Sequence, residues 1–334
     1  MNEKIFVTGA NGFVGSNLCR WFLAGGYEVY GLVRKTSDLH FLEGLPLEII
    51  TGDLRDPGSF DLPGNFDHVV HAAAVVSDQA SEAECEAGIY ETTVNLVQKI
   101  LARGARPKRF VYISSTLILG YLGTNLSEDN PGQPADFLPY VRAKRKAESF
   151  LLEKLKSDRL PVVIIRPGDT YGPYDRTTCD KVLRAAERGV PLIIGHGRHR
   201  FAYCYVDNLC RAVELAIRND RAVGRAYTVI NGILPSWREF FSGLQRGVGK
   251  QQRVYAPVWA AKLAAFFQQA WKKLSPGYKP ELNQYRIRRV TTETTYDISR
   301  TVAELGYRPD NDTGKQLRAI VDWYLEERKK GYIR

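Results

Sequence analysis

Short apolar runs alternate with longer amphipathic stretches through the first half of the chain. Residues 4–8 (Lys-Ile-Phe-Val-Thr) read as a buried strand, and the apolar positions of 14–24 recur at helical spacing. Residues 28–33, 47–50 and 68–72 read as further strands, rich in β-branched and other apolar side chains. A long helical pattern over 82–103 precedes a strand at 109–114. Residues 139–155 then read as helix and 161–166 as a sixth strand. Apolar strands separated by helices build parallel βαβ units, so the pattern predicts an α/β fold with a doubly wound parallel sheet.

Past Arg166 the pattern shortens, and Pro, Gly and aromatic residues interrupt it. This predicts a core over residues 1–170 and a smaller, mixed, mostly substrate-binding subdomain over 171–334. Elements around 201–230 are expected to return to the core. The stretch 259–273 reads as a helix rich in Ala and Phe that carries Lys262, Lys272 and Lys273. It is expected to pack as a lid over the substrate pocket, with a membrane-surface helix as the alternative.

Composition adds exclusions. With 44% apolar and 25% charged residues, the balance is that of an ordinary globular chain. No apolar run approaches the roughly 20 residues that span a bilayer, and no separate apolar segment precedes the first strand. A cytoplasmic location is the expectation, with no integral membrane segment and peripheral membrane contact left open. Five scattered cysteines without a Cys-x-x-Cys pair argue against a disulfide framework or a zinc site. The formal net charge of +10 comes without a long Lys/Arg block or a nucleic-acid motif. It reads as a solvated basic surface that draws small anions, and no nucleic-acid partner is expected.

The first strand runs into Thr8-Gly9-Ala10-Asn11-Gly12-Phe13-Val14-Gly15 and then the first helix. Gly9 permits a tight turn, Gly12 lets backbone approach a pyrophosphate, and Gly15 lets helix pack closely on strand. The helix N-terminus offers free N–H groups and partial positive charge to the anion. Gly9, Asn11, Gly12, Phe13, Val14 and Gly15 are therefore the candidate phosphate-loop residues of a Rossmann-type dinucleotide site. An acidic residue at the end of the second strand would accept the ribose hydroxyls of NAD. Here that strand ends Val33-Arg34-Lys35-Thr36-Ser37, with no carboxylate before Asp38. Arg34 suits a 2′-phosphate, assisted by Lys35 and Ser37, so NADP is favoured over NAD.

Tyr140-Val141-Arg142-Ala143-Lys144 sets a Tyr and a Lys four residues apart on one helix face. A free phenol titrates near pH ~10, too high for a base at neutral pH. A neighbouring ammonium, with the charge of an oxidised nicotinamide, is expected to lower that value. Val111-Tyr112-Ile113-Ser114-Ser115-Thr116 brings hydroxyls to the end of the preceding strand. One of them can donate to a substrate carbonyl oxygen.

The Gly-x-x-Gly-x-x-Gly spacing, the Tyr-x-x-x-Lys pair and the Ser-Ser segment together resemble the extended short-chain dehydrogenase/reductase family, over nearly the whole chain. The resemblance implies NAD(P)-dependent hydride transfer. Ser115, Tyr140 and Lys144 become the catalytic set, Ser114 and Thr116 are alternatives to Ser115, and Lys144 also holds the nicotinamide ribose. It further implies an adenine contact at Asp53 of Gly52-Asp53-Leu54, a cofactor-lining backbone at Ala72, Ala73 and Ala74, and a nicotinamide contact at Pro167 of Arg166-Pro167. His71, which opens the alanine segment, is expected to be structural. Relatives often pair as homodimers.

Tyr205-Val206-Asp207-Asn208 and the run from Lys279 to Pro309 resemble the 3β-hydroxysteroid dehydrogenase and dihydroflavonol 4-reductase branch. In nucleotide-sugar epimerases and dehydratases an arginine lies four residues before that tyrosine. Phe201 stands there, with Arg200 one position away. Where the family often has an Asn in the helix before the fifth strand, this chain has Ile89. The expectation is an oxidoreductase acting on a small hydrophobic cyclic or aryl alcohol or ketone. A nucleotide-sugar epimerase or dehydratase that recycles its NAD internally is the alternative. A non-catalytic dinucleotide sensor is disfavoured by the intact Tyr140/Lys144 pair.

Overall fold

The computed structural model describes residues 2–333 except 177–178, 189, 191–192, 251–254, 276 and 279. The start of the Lys279–Pro309 run thus lies outside the described residues. The strands are β1 (Lys4–Thr8), β2 (Glu28–Val33), β3 (Glu48–Thr51), β4 (His68–His71), β5 (Arg109–Ile113), β6 (Gly123–Leu126), β7 (Val162–Pro167), β8 (Asp169–Tyr171), β9 (Tyr203–Tyr205), β10 (Ala226–Val229) and β11 (Thr294–Tyr296). Seven of them form one parallel sheet in the order β10-β7-β5-β4-β1-β2-β3. The doubly wound sheet expected from the alternating pattern is present.

Alternation along each strand divides the core. Ile5 and Val7 of β1, with Val163 and Ile165 of β7, face one side and pack with Leu18, Cys19 and Phe22 of the helix Phe13–Ala24 and with the helix Val206–Arg218. Phe6, Val162 and Ile164 face the other, against Leu96, Val97 and Ile100 of the helix Thr92–Ala102 and Ala147 and Leu151 of the helix Pro139–Asp158. Side chains buried on both faces are what a parallel sheet requires. Each contributes about 1.5–3 kcal/mol of burial.

The chain moves outward from β1 in both directions, to β2 and to β4. The carboxyl ends of β1 and β4 therefore flank the point where the winding reverses, the place where open α/β sheets bind ligands. Two small two-stranded sheets lie on that same side of the molecule: β8 pairs with β9 beyond β7, and β11 pairs with β6, which precedes β7. β10 returns as the edge strand of the main sheet.

One expectation is refined and one changes. The helical stretch over 82–103 is one α-turn (Glu82–Cys85), a π-helical segment (Glu86–Glu91) and the helix Thr92–Ala102. Ile89 stands in the π segment, where its carbonyl accepts from both the Thr92 and Thr93 hydroxyls, at 3.1 and 2.7 Å. The stretch over 259–273 is the helix Val258–Leu274, but it is not a lid. It packs through Ala261 and Ala265 onto the helix Gln284–Thr291 and turns its aromatic residues outward.

Candidate active site

The turn after β1 is built by steric necessity. Gly9 has φ +67°, and a Cβ there would meet Ala73 Cα at 2.8 Å. A Cβ on Gly15 would stand 2.0 Å from the Gly9 carbonyl oxygen. Gly12 caps the helix Phe13–Ala24 without a side-chain partner, so the first-turn N–H groups at Phe13, Val14 and Gly15 lack intrahelical acceptors and face the crevice. Such a cradle, narrow enough that any side chain would fill it, fits a pyrophosphate.

The strand ends around the cradle are locked by one chain of hydrogen bonds through His71. The Ala73 N–H donates to Thr8 Oγ1 (3.3 Å), and Thr8 Oγ1 lies 2.7 Å from His71 Nδ1. On the other ring edge, His71 Nε2 lies 3.0 Å from Thr93 Oγ1, which itself donates to the Ile89 carbonyl. Thr93 has spent its proton, so Nε2 must donate and Nδ1 accept. Burial, with a smaller contribution from Lys144, lowers His71 to about 3 and keeps this neutral tautomer. His71 is structural, as expected, and fixes the Ala72–Ala74 backbone.

At the end of β2, Arg34 is exposed, and its N–H donates to Ser37 Oγ at 3.2 Å. Asp53 is gripped by Arg55 at 2.5 Å, which with lesser help from its own neighbours, Arg34 among them, holds its carboxyl below the usual range. The Leu54 carbonyl accepts from Asn95 Nδ2 at 2.8 Å, tying this loop to the helix behind it.

Ser115, Tyr140 and Lys144 come together at the end of β5. The Ser115 hydroxyl caps a single helical turn and accepts from the Leu117 N–H at 3.2 Å. It stands beside the Tyr140 phenol. Lys144 is 2% exposed, and its ammonium donates to the Ile113 carbonyl at 2.6 Å while lying 4.6 Å over the Tyr112 ring. Ser114 Oγ is buried without a partner among the described residues. Pro167 closes β7 beside this cluster.

The electrostatics correct one expectation. Burial pushes the Tyr140 phenol up to about 12, and Ser115 is the one principal neighbour favouring its phenolate; Tyr285, Asp169 and Cys85 oppose it. Lys144 does not drive it down, because burial has lowered Lys144 itself to about 7, with only Glu148 supporting the charged form. Burial disfavours the charged form of each group. The chain alone therefore holds Tyr140 protonated, and the positive charge of an oxidised nicotinamide beside it would favour the phenolate.

A cavity of about 40 Å³ opens from Ser115, bordered by Tyr121, Asp169, Phe201, Arg289 and Tyr296. Tyr121, Phe137 and Tyr285 form an aromatic triangle next to it, with centroids 5.2–5.5 Å apart. Phe201 is 2% exposed and packs at a tilt against Trp237, while Arg200 points outward to Glu293 at 2.7 Å. Arg289 lies 4.8 Å over the Phe201 ring and is held by Asp169. Arg286 and Arg288 of the same helix are engaged by Asp78 and Gln133.

Several of these groups were not anticipated. Glu148 falls at i+4 from Lys144, a spacing that was available; Arg289 and Asp169 are 120 residues apart and gave no signal. Asn208 of the Tyr-Val-Asp-Asn segment acts as a brace, donating to Asn231 Oδ1 and the Asp310 carbonyl, each at 2.9 Å. The His196 and His199 rings lie tilted to each other with centroids 4.6 Å apart, and no group of His, Cys, Asp or Glu placed to hold a metal occurs among the described residues. The five cysteines are buried and free.

A pyrophosphate cradle facing a Ser-Tyr-Lys cluster across the carboxyl ends of one sheet leads to the extended short-chain dehydrogenase/reductases, which are NAD(P)-dependent enzymes. The comparisons agree. The chain belongs to the NAD dependent epimerase/dehydratase family, whose profile matches residues 5–230. It is 28% identical to a putative dihydroflavonol 4-reductase of Synechocystis sp., over 100% of this chain and 97% of that protein. It is also 28% identical to a UDP-glucose 4-epimerase of Vibrio cholerae, over 98% and 97%. In fold it matches UDP-glucuronic acid 4-epimerase from Bacillus cereus in complex with NAD, at a TM-score of 0.77 and 22% identity over 98% of both chains.

Proposed function

We propose that the chain is a reductase or dehydrogenase that moves a hydride between a nicotinamide and the carbonyl or hydroxyl carbon of a hydrophobic cyclic or aryl substrate. The observation that carries this reading is the wall beside Ser115. It is aromatic at Tyr121, Phe201 and Tyr285, and the cation that reaches it, Arg289, is neutralised by Asp169. A nucleotide diphosphate would need spare positive charge there, whereas a ring needs flat apolar surface. The dihydroflavonol reductase relative points the same way.

The bound cofactor supplies the hydride acceptor or donor at its nicotinamide. The chain's own groups do the rest. Gly9, Asn11, Gly12, Phe13, Val14 and Gly15 hold the pyrophosphate. Asp53 and Leu54 border the adenine, and Ala72, Ala73, Ala74 and Pro167 present backbone to the rest of the cofactor. Ser115 donates to the substrate oxygen and so favours the charge that develops there. Tyr140 exchanges the proton with that oxygen, and Lys144 binds the ribose hydroxyls. For the adenosine end NADP is favoured, since Arg34 is exposed and uncommitted to any carboxylate by direct contact among the described residues.

The test follows NADPH and NADH consumption against steroid ketones, flavanonols, aryl aldehydes and β-keto acids. Consumption by wild type, lost in Tyr140→Phe with cofactor binding intact, supports the reading; equal turnover by that variant overturns it. The second reading, epimerisation or dehydration of a nucleotide sugar, is favoured by the Vibrio cholerae relative. It predicts conversion of UDP-glucose with no net change in nicotinamide absorbance.

A further inference from the structure

The helix Val258–Leu274 is built the wrong way round for a water-facing surface. It rests on small side chains: Ala261 and Ala265 are 4% and 1% exposed and pack with Ile287 and Leu282, and Gln268 Oε1 accepts the Leu282 N–H at 2.9 Å. Its opposite side is apolar and bare. Trp259 is 70% exposed, Leu263 49%, Phe266 64%, Phe267 61%, Trp271 59% and Leu274 80%. At 3.6 residues per turn these six fall within an arc of roughly 140°, opposite the two buried alanines. Isolated exposed apolar residues are ordinary, but a contiguous stripe of large ones marks a binding face.

Charge says what covers it. The helix contains no Asp or Glu; Lys262, Lys272 and Lys273 are exposed along it. The deficit extends further, for no acidic residue occurs between Glu239 and Glu281, whereas Arg246, Lys250, Arg253, Lys262, Lys272, Lys273 and Lys279 are basic. A second copy seated on this stripe would oppose lysines with lysines. An anionic lipid surface meets them with phosphate and carboxylate, and accepts Trp and Phe at the headgroup boundary.

We propose that this helix seats the protein on an anionic phospholipid surface, lying in the interface with its six large apolar side chains in the headgroup–acyl boundary. It does not cross: at 17 residues it is short for a span, and no described helix is long and apolar enough for one. The helix it rests on, Gln284–Thr291, brings Arg289 to the cavity beside Ser115 and packs Tyr285 against Tyr121 of its wall. The seated face therefore lies one helix away from the candidate site. Seating and chemistry are separable, because binding to vesicles is read without turnover.

The full chain is sedimented with vesicles of phosphatidylcholine alone and of phosphatidylcholine with phosphatidylserine, and tryptophan emission is read with brominated acyl chains as quencher. Binding to the phosphatidylserine vesicles is expected, with quenching that disappears in Trp259→Phe/Trp271→Phe. Each of Lys262→Gln and Lys273→Gln weakens binding about fivefold. Phe266→Glu/Phe267→Glu removes it while the thermal unfolding midpoint and NADPH fluorescence titration match wild type. No binding to either vesicle, or equal binding to both, overturns the proposal. So does a solution dimer, seen by light scattering, that the Phe266→Glu/Phe267→Glu variant dissociates.

Discussion

Arg166 donates to both carboxylate oxygens of Glu148, at 3.0 and 2.6 Å, one helical turn beyond Lys144. The pair binds the Tyr140 helix to β7, and Glu128 completes it by bridging Arg166 to Arg300, each at 2.8 Å. Glu148 is also the neighbour that supports the Lys144 ammonium. A carboxylate that anchors the helix thus tunes the lysine as well.

Glu148→Gln leaves Arg166, whose side chain is 11% exposed, without its bidentate partner. Breaking one side of a buried pair costs about 3–5 kcal/mol; the residual contact to Glu128 sets the expected loss at the lower end of that range. Urea unfolding measures it. The same variant lowers Lys144 further below its present value, so the alkaline limb of a pH–rate profile, where the Lys144 ammonium loses its proton, shifts to lower pH. A stability loss without that shift would reduce Glu148 to an anchor.

Gly15→Ala tests the cradle. Its Cβ would lie 2.0 Å from the Gly9 carbonyl, so the turn must open. Overpacking of this kind costs about 1–3 kcal/mol. Displacing the phosphate loop is expected to weaken NADPH at least tenfold, or about 1.4 kcal/mol. Fluorescence titration and thermal unfolding read the two effects separately, and wild-type values in both would show that the loop tolerates a side chain.

The sheet was legible because strand periodicity and glycine spacing are local properties: Ile5 and Val7 against Phe6 already divide the core. The Ser115–Tyr140–Lys144 cluster was legible because each member sits at the end or on the face of such an element. What pairs across the chain was not. Arg289 meets Asp169, and Arg166 meets Glu148, through tertiary approach that no window of sequence contains. The stretch over 82–103 is helical as its pattern reads, but a π segment keeps the apolar spacing while shifting the register at Ile89, so the pattern does not reveal it. The 259–273 stretch was misread because amphipathic spacing tells that two faces differ, and here the smaller apolar side chains, Ala261 and Ala265, are the buried ones.

Arg34→Ala tests cofactor choice. A charge-assisted contact to a 2′-phosphate contributes about 1.5–3 kcal/mol, so the KM for NADPH is expected to rise roughly tenfold to a hundredfold. NADH has no 2′-phosphate, and its KM should change little. Equal changes for both cofactors would assign Arg34 to adenine stacking and leave the preference to other residues.

Lys144 gives stability a pH dependence above neutrality. Burial lowers it from an ordinary value near ~10.5 to about 7. Between those values the unfolded chain holds a proton that the folded chain has released, so stability rises with pH across that window. Below pH ~7 both forms are protonated and the folded chain bears the full penalty of a buried ammonium, several kcal/mol in order of magnitude. Lys144→Met removes the penalty while filling the space over the Tyr112 ring. The variant is therefore expected to be more stable than wild type on the acid side of neutrality. Its advantage should shrink steadily as pH rises toward ~10. Urea midpoints taken across that range measure the difference; a constant offset would mean that Lys144 keeps its proton when the chain folds.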